Sequence, residues 1–232
     1  MAPSSQTCLC ERVPRLWSAR RASRRTSAAP RTPRREATRA RLLKAATEVF
    51  ADRGFHGASV EDICERAGFT RGAFYSNFGS KDDLVLALYE QHVTRLAERV
   101  EQLAARESAD PETILEGVFD VWAESPQAQE QWFLLQTEFT LHAIRDKAAG
   151  KAWARQQAQV RRQLARLVRR IAQEHGVELS VTPEEFVRLA LAVYQGGMAQ
   201  HLLEPRQVPR GSLERRFLPL VLAAVSEGPA AG

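Results

Sequence analysis

"GFTRGAFYSNFGSKDDL", residues 68–84, is the stretch on which the reading of this chain turns. Its seventeen residues hold three glycines, four aromatics, one arginine and one lysine. A β-hairpin, a mobile loop and a phosphate cradle all use glycine and aromatics at this density. Helical signals separate these readings. Thr70 stands before Arg71 as an N-cap, and Ser80 with Asp83 has the spacing of a capping box. Phe74 and Phe78 fall at helical spacing, which marks a packed face. The stretch therefore reads as a short helix from Arg71 to about Phe78, then the start of a long one reaching about Ala105.

Upstream, a helix over about Arg35–Arg53 carries Leu42, Ala46, Val49 and Phe50 on one stripe, and Gly54 stops it. "SVED" at residues 59–62 is a second capping box, opening a short helix from Val60 to Ala67 that Gly68 ends. Downstream, helices are expected at about Pro111–Ser125, Gln129–Ala149, Lys151–His175, Pro183–Glu204 and Ser212–Val225. Pro219 falls inside the last of these and is a candidate kink. No run of alternating apolar residues suggests a sheet. The fold class is all-α: a block of three short helices joined by a long helix to a larger bundle.

Charge is unevenly spread. The chain of 232 residues is +5, but residues 1–40 hold ten arginines against Glu11 and Glu36, a net of +8, which leaves 5 − 8 = −3 for the remainder. The basic balance thus belongs to the first forty residues and does not by itself imply nucleic acid. Residues 1–34 read as a disordered Arg-rich extension. A transit peptide and an over-extended start codon are alternatives, and a flexible basic arm of this kind can track phosphate backbone. Cys8, Cys10 and Cys64 form neither a disulfide framework nor a metal knuckle, so a reducing compartment such as a cytoplasm is expected. "FLPLVLAAV" is too short for a membrane span, which takes ~20 residues. Residues 227–232 read as a disordered tail.

Two short helices joined by a three-residue turn that begins with glycine are a helix-turn-helix. The second helix must stand out so that its first side chains reach base edges in the major groove. Cys64, Ala67 and Ala73 are small enough for the crossing, with Ile63, Phe69, Phe74 and Phe78 as the apolar wedge beneath.

Residues 35–96 resemble the N-terminal DNA-binding domain of the TetR family of transcriptional regulators. The resemblance rests on "AA..VF...G", the Gly-Phe break, "SV..I...AG" and "YSNF.SK", in that order. It implies a helix-turn-helix at about 59–78, a DNA-binding domain over 35–96, and a helical effector-binding and dimerisation domain over 97–226. It also implies that Arg71 meets bases, that Gly72 and Ala73 approach the groove closely, and that Tyr75 contacts the backbone. Ser76 and Asn77 reach base or phosphate, Ser59 and Thr70 present helix N-termini to phosphate, and Lys81 contacts phosphate. Cys64 stands where the family usually has alanine, which favours a buried small residue over a redox sensor.

By the same resemblance the protein is a homodimer that binds double-stranded DNA at an inverted-repeat operator, paired through its last two helices, with a small-molecule effector of unknown identity. Phe119, Trp122, Trp132, Phe139, His142 and Tyr194 are candidate pocket residues, and each has core packing as its alternative. Glu138 and His142, at i, i+4, are candidates for a polar ligand group or a surface pair. No zinc-ligand spacing, phosphate loop, nucleophile elbow or dinucleotide fingerprint is present, so no enzyme activity, cofactor or metal is expected. The expected function is a sequence-specific repressor released by its effector. A regulator without effector control and a non-specific architectural DNA binder are the alternatives.

Overall fold

In the computed structural model, which describes residues 33–105, 110–123 and 125–227, the apolar stripe of the first helix organises the N-terminal block. Helix α1 (Pro33–Gly57) buries Leu42, Ala46, Val49 and Phe50, and breaks at Gly54 (φ 67°, ψ 178°) before a last turn that buries Phe55. Helix α2 (Val60–Ala67) begins on a complete Ser59–Asp62 capping box and ends on Gly68 in the left-handed conformation. Helix α3 (Arg71–Tyr75) is capped by Thr70, whose hydroxyl accepts from Ala73 N–H.

Helix α3 is shorter than its sequence suggests. The Ser76 hydroxyl and the Asn77 amide both donate to Ala73 O, at 2.8 Å each, and such side-chain bonds compete with the helical ladder. The chain still turns through Phe78, whose N–H donates to Phe74 O. Helix α4 (Lys81–Ala104) starts on Ser80, which accepts from Asp83 N–H. The capping box expected here is half formed: no bond returns from the Asp83 carboxylate to Ser80 N–H, and that carboxylate lies beside Gly79 instead.

Helices α5 (Pro111–Ala123), α6 (Pro126–Arg145), α7 (Lys147–Glu174), α8 (Pro183–Leu203) and α9 (Ser212–Val225) build the remainder. The α6–α7 boundary falls at Asp146, which caps α7 by accepting from Ala148 and Ala149 N–H. Gly150, read from sequence as the break, instead lies inside α7. A Cβ there would stand 2.6 Å from Ala143 O, so glycine is what lets α6 and α7 approach. Pro126 opens α6, in the first turn where proline is tolerated. Two residues at each of β1 (Glu178–Leu179) and β2 (Ser226–Glu227) pair antiparallel, clipping the end of α9 to the turn after α7. Apart from this bridge the fold is all-helical, as expected. Among the described residues, no helix is long and apolar enough to cross a membrane.

One buried cluster runs from Leu42 and Phe50 through Ile63, Phe74 and Phe78 into Phe139, Trp153 and Val160, joining the N-terminal block to α6 and α7. A second, around Val100, Ile114, Leu167 and Ile171, lies farther along α4, between α4, α5 and α7.

Candidate nucleic-acid interface

Helix α3 is split into a buried and an exposed side by the order of its side chains. Phe74 and Phe78 are buried with the core, while Arg71, Gly72, Tyr75 and Ser76 are exposed and Ala73 and Asn77 are half-buried. Tyr75 is 49% exposed, a large apolar ring left in solvent next to a buried phenylalanine. Its ring packs edge-on against Phe74, and the Arg71 guanidinium lies 5.9 Å from its centroid. Arg71 also pairs with Glu61 of α2 at 2.6 Å. Both partners are more than half exposed, so the pair is worth little and opens readily.

Three arginines of α1 hold helices α2 and α3 in place. Arg35 donates to Ser76 O at 2.8 Å and Arg39 to Asn77 O at 3.4 Å, both just past the C-terminus of α3. Cationic donors suit the negative end of a helix. Arg39 also covers the Phe78 ring at 4.3 Å. Arg41 donates to Ala67 O at the end of α2 and covers Phe69 at 4.7 Å.

The remaining candidates differ in what they leave free. The Ser59 hydroxyl accepts from Asp62 N–H and donates to the Asp62 carboxylate, which also takes Ser59 N–H. These bonds hold the Asp62 carboxyl below its ordinary pKa. Thr70 is exposed and accepts from Ala73 N–H. Asn77 donates from its amide to Ala73 O and Ser76 Oγ, while its Oδ1 is buried without a hydrogen-bond partner.

Lys81 points inward: Nζ donates to Phe55 O at 2.6 Å and Ala58 O at 2.8 Å, and stands 4.4 Å from the Phe55 ring. Burial lowers its pKa, against the opposing pull of Asp82 and Glu138. Cys64 is buried at 4% exposure, and burial raises its thiol pKa, which fits a packing residue.

Glu138 and His142 of α6 meet this block directly. Glu138 accepts from Phe55 N–H at 2.6 Å, with its carboxylate against Gly54. His142 Nε2 lies 3.2 Å from the Asp82 carboxylate at the start of α4. Of the candidate pocket residues, Phe139 is fully buried between Phe55 and Trp153, and it and His142 belong to this joint. Phe119 is buried beneath the Arg215 guanidinium. Trp122 lies in α5, its side chain outside the described residues. Trp132 and Tyr194 are brought together at one small cavity between α4, α6, α7 and α8.

Residues 42–88 match the family model for bacterial regulatory proteins of the tetR family. Over these residues the chain is similar to the DNA-binding domain of the TetR family. The transcriptional activator FasR of Mycolicibacterium smegmatis is 45% identical over 80 residues, 34% of this chain and 36% of that protein. YdgC of Bacillus subtilis, an HTH-type transcriptional regulator, is 33% identical over 44% of this chain and 55% of its own length. The chain thus spans between a third and about half of the length of these two relatives. The transcriptional regulator AcrR of Shigella flexneri is 29% identical over 72% of this chain and 77% of that protein.

Among solved structures, Salmonella enterica GusR superposes with a TM-score of 0.62 at 24% identity, over 81% of this chain and 96% of that one. SmeT, the repressor of the Stenotrophomonas maltophilia efflux pump SmeDEF, superposes with a TM-score of 0.57 at 23% identity, over 83% and 92%. At these identities the superpositions speak for the fold. The fold shared with these structures covers about four-fifths of the chain, while the family-model match is confined to residues 42–88.

Proposed function

We propose that the protein is a transcriptional regulator, acting as a repressor, that binds an inverted-repeat operator as a homodimer and is released by a small-molecule effector. The observation that carries the reading is the exposed face of α3, where Arg71, Gly72, Tyr75 and Ser76 stand outward from a helix anchored by Phe74 and Phe78. Arg71 at its first turn suits a bidentate pair to guanine O6 and N7 once it leaves Glu61. Gly72 lets the backbone approach, and Tyr75, Ser76 and Thr70 carry hydroxyls at the rim for phosphate. Ser59 and Lys81 serve better as internal ties, because their donors are already engaged.

A single short helix reads too few base pairs, so two copies must engage successive major grooves, ~34–36 Å apart. Exposed Leu203 (82%) and Leu220 (62%), with Leu189 and Phe217, supply an apolar face on α8 and α9 for the pairing. An effector bound among α4–α9 acts by preferring one setting of the N-terminal block over another. Glu138 and His142 couple that bundle to Phe55 and Asp82.

Selection of fragments from random-sequence DNA by the purified protein tests the reading. Enrichment of one inverted repeat is expected; uniform recovery would overturn it.

A further inference from the structure

The helical bundle contains two adjacent cavities that share wall residues but differ in chemistry. The larger, about 160 Å³, lies between α4, α5, α7, α8 and α9 and includes Val100, Ile114, Leu167, Phe186 and Leu218 in its wall. No polar or charged side chain lines it. An apolar cavity of ~150 Å³ stays dry and takes up a ring of six carbons, so this space favours a hydrocarbon group of similar bulk.

The smaller, about 40 Å³, shares Leu96, Leu164 and Leu191 with it and adds Tyr89, His92, Trp132, Gln136, Tyr194 and Gln195. Its polar groups are neutral. Burial, with Arg95 nearby, brings the His92 pKa down to about 4, and the phenols of Tyr89 and Tyr194 are pushed up to about 12. Tyr89 donates to Gln157 and Tyr194 to Gln129. The side-chain amides of Gln136 and Gln195 have no hydrogen-bond partner among the described residues.

We infer that these two spaces form one site for an uncharged amphiphile, its aliphatic chain in the larger cavity and its hydrogen-bonding head between Gln136 and Gln195. The inference rests on the reading of the protein as effector-controlled, and narrows it to a ligand class. A carboxylate, phosphate or ammonium head would lose its hydration with no opposite charge in the wall, a cost that neutral dipoles do not offset. A pure hydrocarbon would cover the two amides and leave them unsatisfied. A primary amide or alcohol on a medium-length chain meets both demands.

The head also stands where it can be felt by the DNA-reading block. His92 stacks on Trp132 at 4.4 Å, and the same pair lines a further cavity of about 150 Å³ bounded by Thr47 and Phe50 of α1. Displacement of Trp132 by the head therefore presses on the helix whose arginines position α3.

Calorimetric titration of the full-length protein with octanamide, octanoate and octylamine at pH 7.5 tests the inference without DNA. Octanamide is expected to bind at least tenfold more tightly than either charged analogue. Gln136→Leu and Gln195→Leu, each with unchanged circular dichroism, should each weaken octanamide about five- to tenfold, the worth of one neutral hydrogen bond. Octanoate or octylamine binding as tightly as octanamide would overturn the inference. So would octanamide binding that both glutamine variants leave unchanged, or binding by none of the three while the selected DNA repeat is still recognised. Octanamide binding that leaves DNA affinity unchanged would support the site and overturn effector control.

Discussion

Lys81 and His92 are titratable residues whose burial gives each a measurable signature. The Lys81 ammonium ties two carbonyls on either side of the turn between α1 and α2. Lys81→Met should cost about 2 kcal/mol, a fall in Tm of roughly 4–8 °C for a chain of this size. At a temperature where both proteins are folded, the salt dependence of operator affinity should not change. A loss of about one unit of slope would instead mark Lys81 as a phosphate contact. His92 gives a pH signature. Its folded pKa of about 4 lies below its ordinary 6.5, so the unfolded chain binds the proton more readily. The neutral form's contribution is complete above pH 6.5 and is lost as pH falls from 6.5 towards 4. It amounts to at most about 3 kcal/mol. Thermal melts between pH 7 and pH 4 should therefore fall less steeply for His92→Phe than for the parent.

At this scale the sequence was uneven in what it revealed. Phe74 beside Tyr75 was legible, because helical spacing alone sends one inward and its neighbour outward. Arg35, Arg39 and Arg41 were not. A helix-surface arginine looks solvated until a partner helix end is brought to it in three dimensions.

Among the elements, the break in α1 at Gly54 has a reason that only tertiary structure supplies. Glycine was legible as a helix stop, but not that a carboxylate from residue 138 would occupy the space beside it. Gly54 has φ 67°, and a Cβ there would stand 2.8 Å from the Glu138 carboxylate oxygens. Gly54→Ala should therefore destabilise by about 1–3 kcal/mol, with a lower urea midpoint and an unchanged m-value. Glu138→Ala removes the acceptor of Phe55 N–H. Hydrogen exchange at the Phe55 amide should quicken, while exchange in the middle of α7 stays as it was. Helix ends show the same pattern of legibility. Ser59, Thr70 and Thr182 were or could be read directly as N-caps, since the capping bond is local. The boundary between α6 and α7 was misplaced at Gly150, because that glycine answers to a neighbouring helix and Asp146 supplies the cap.

For the molecule as a whole, the all-helical architecture was legible from periodicity and caps, and the helix-turn-helix from a motif whose parts are all local. The bundle's cavity was less so. Tyr194 and Trp132 do reach it, but the aliphatic wall of the larger space is made of residues such as Val100, Ile114 and Leu218, which nothing in sequence separates from ordinary core. The proposed pairing uses the exposed apolar face on α8 and α9. Sedimentation should give a dimer for the parent protein and a monomer for Leu203→Glu combined with Leu220→Glu, with helicity retained. A dimer that survives both charges would place the pairing surface elsewhere.

The central claim is that the outward face of α3 reads base sequence. It is tested most directly by measuring affinity for the selected repeat and for a scrambled duplex at one salt concentration, with the parent protein and with Arg71→Ala. One lost bidentate contact is worth ~1–3 kcal/mol per half-site. The ratio of the two affinities should therefore fall at least about tenfold, with binding to scrambled DNA little altered. An Arg71→Ala protein that keeps the parent's ratio would contradict the account.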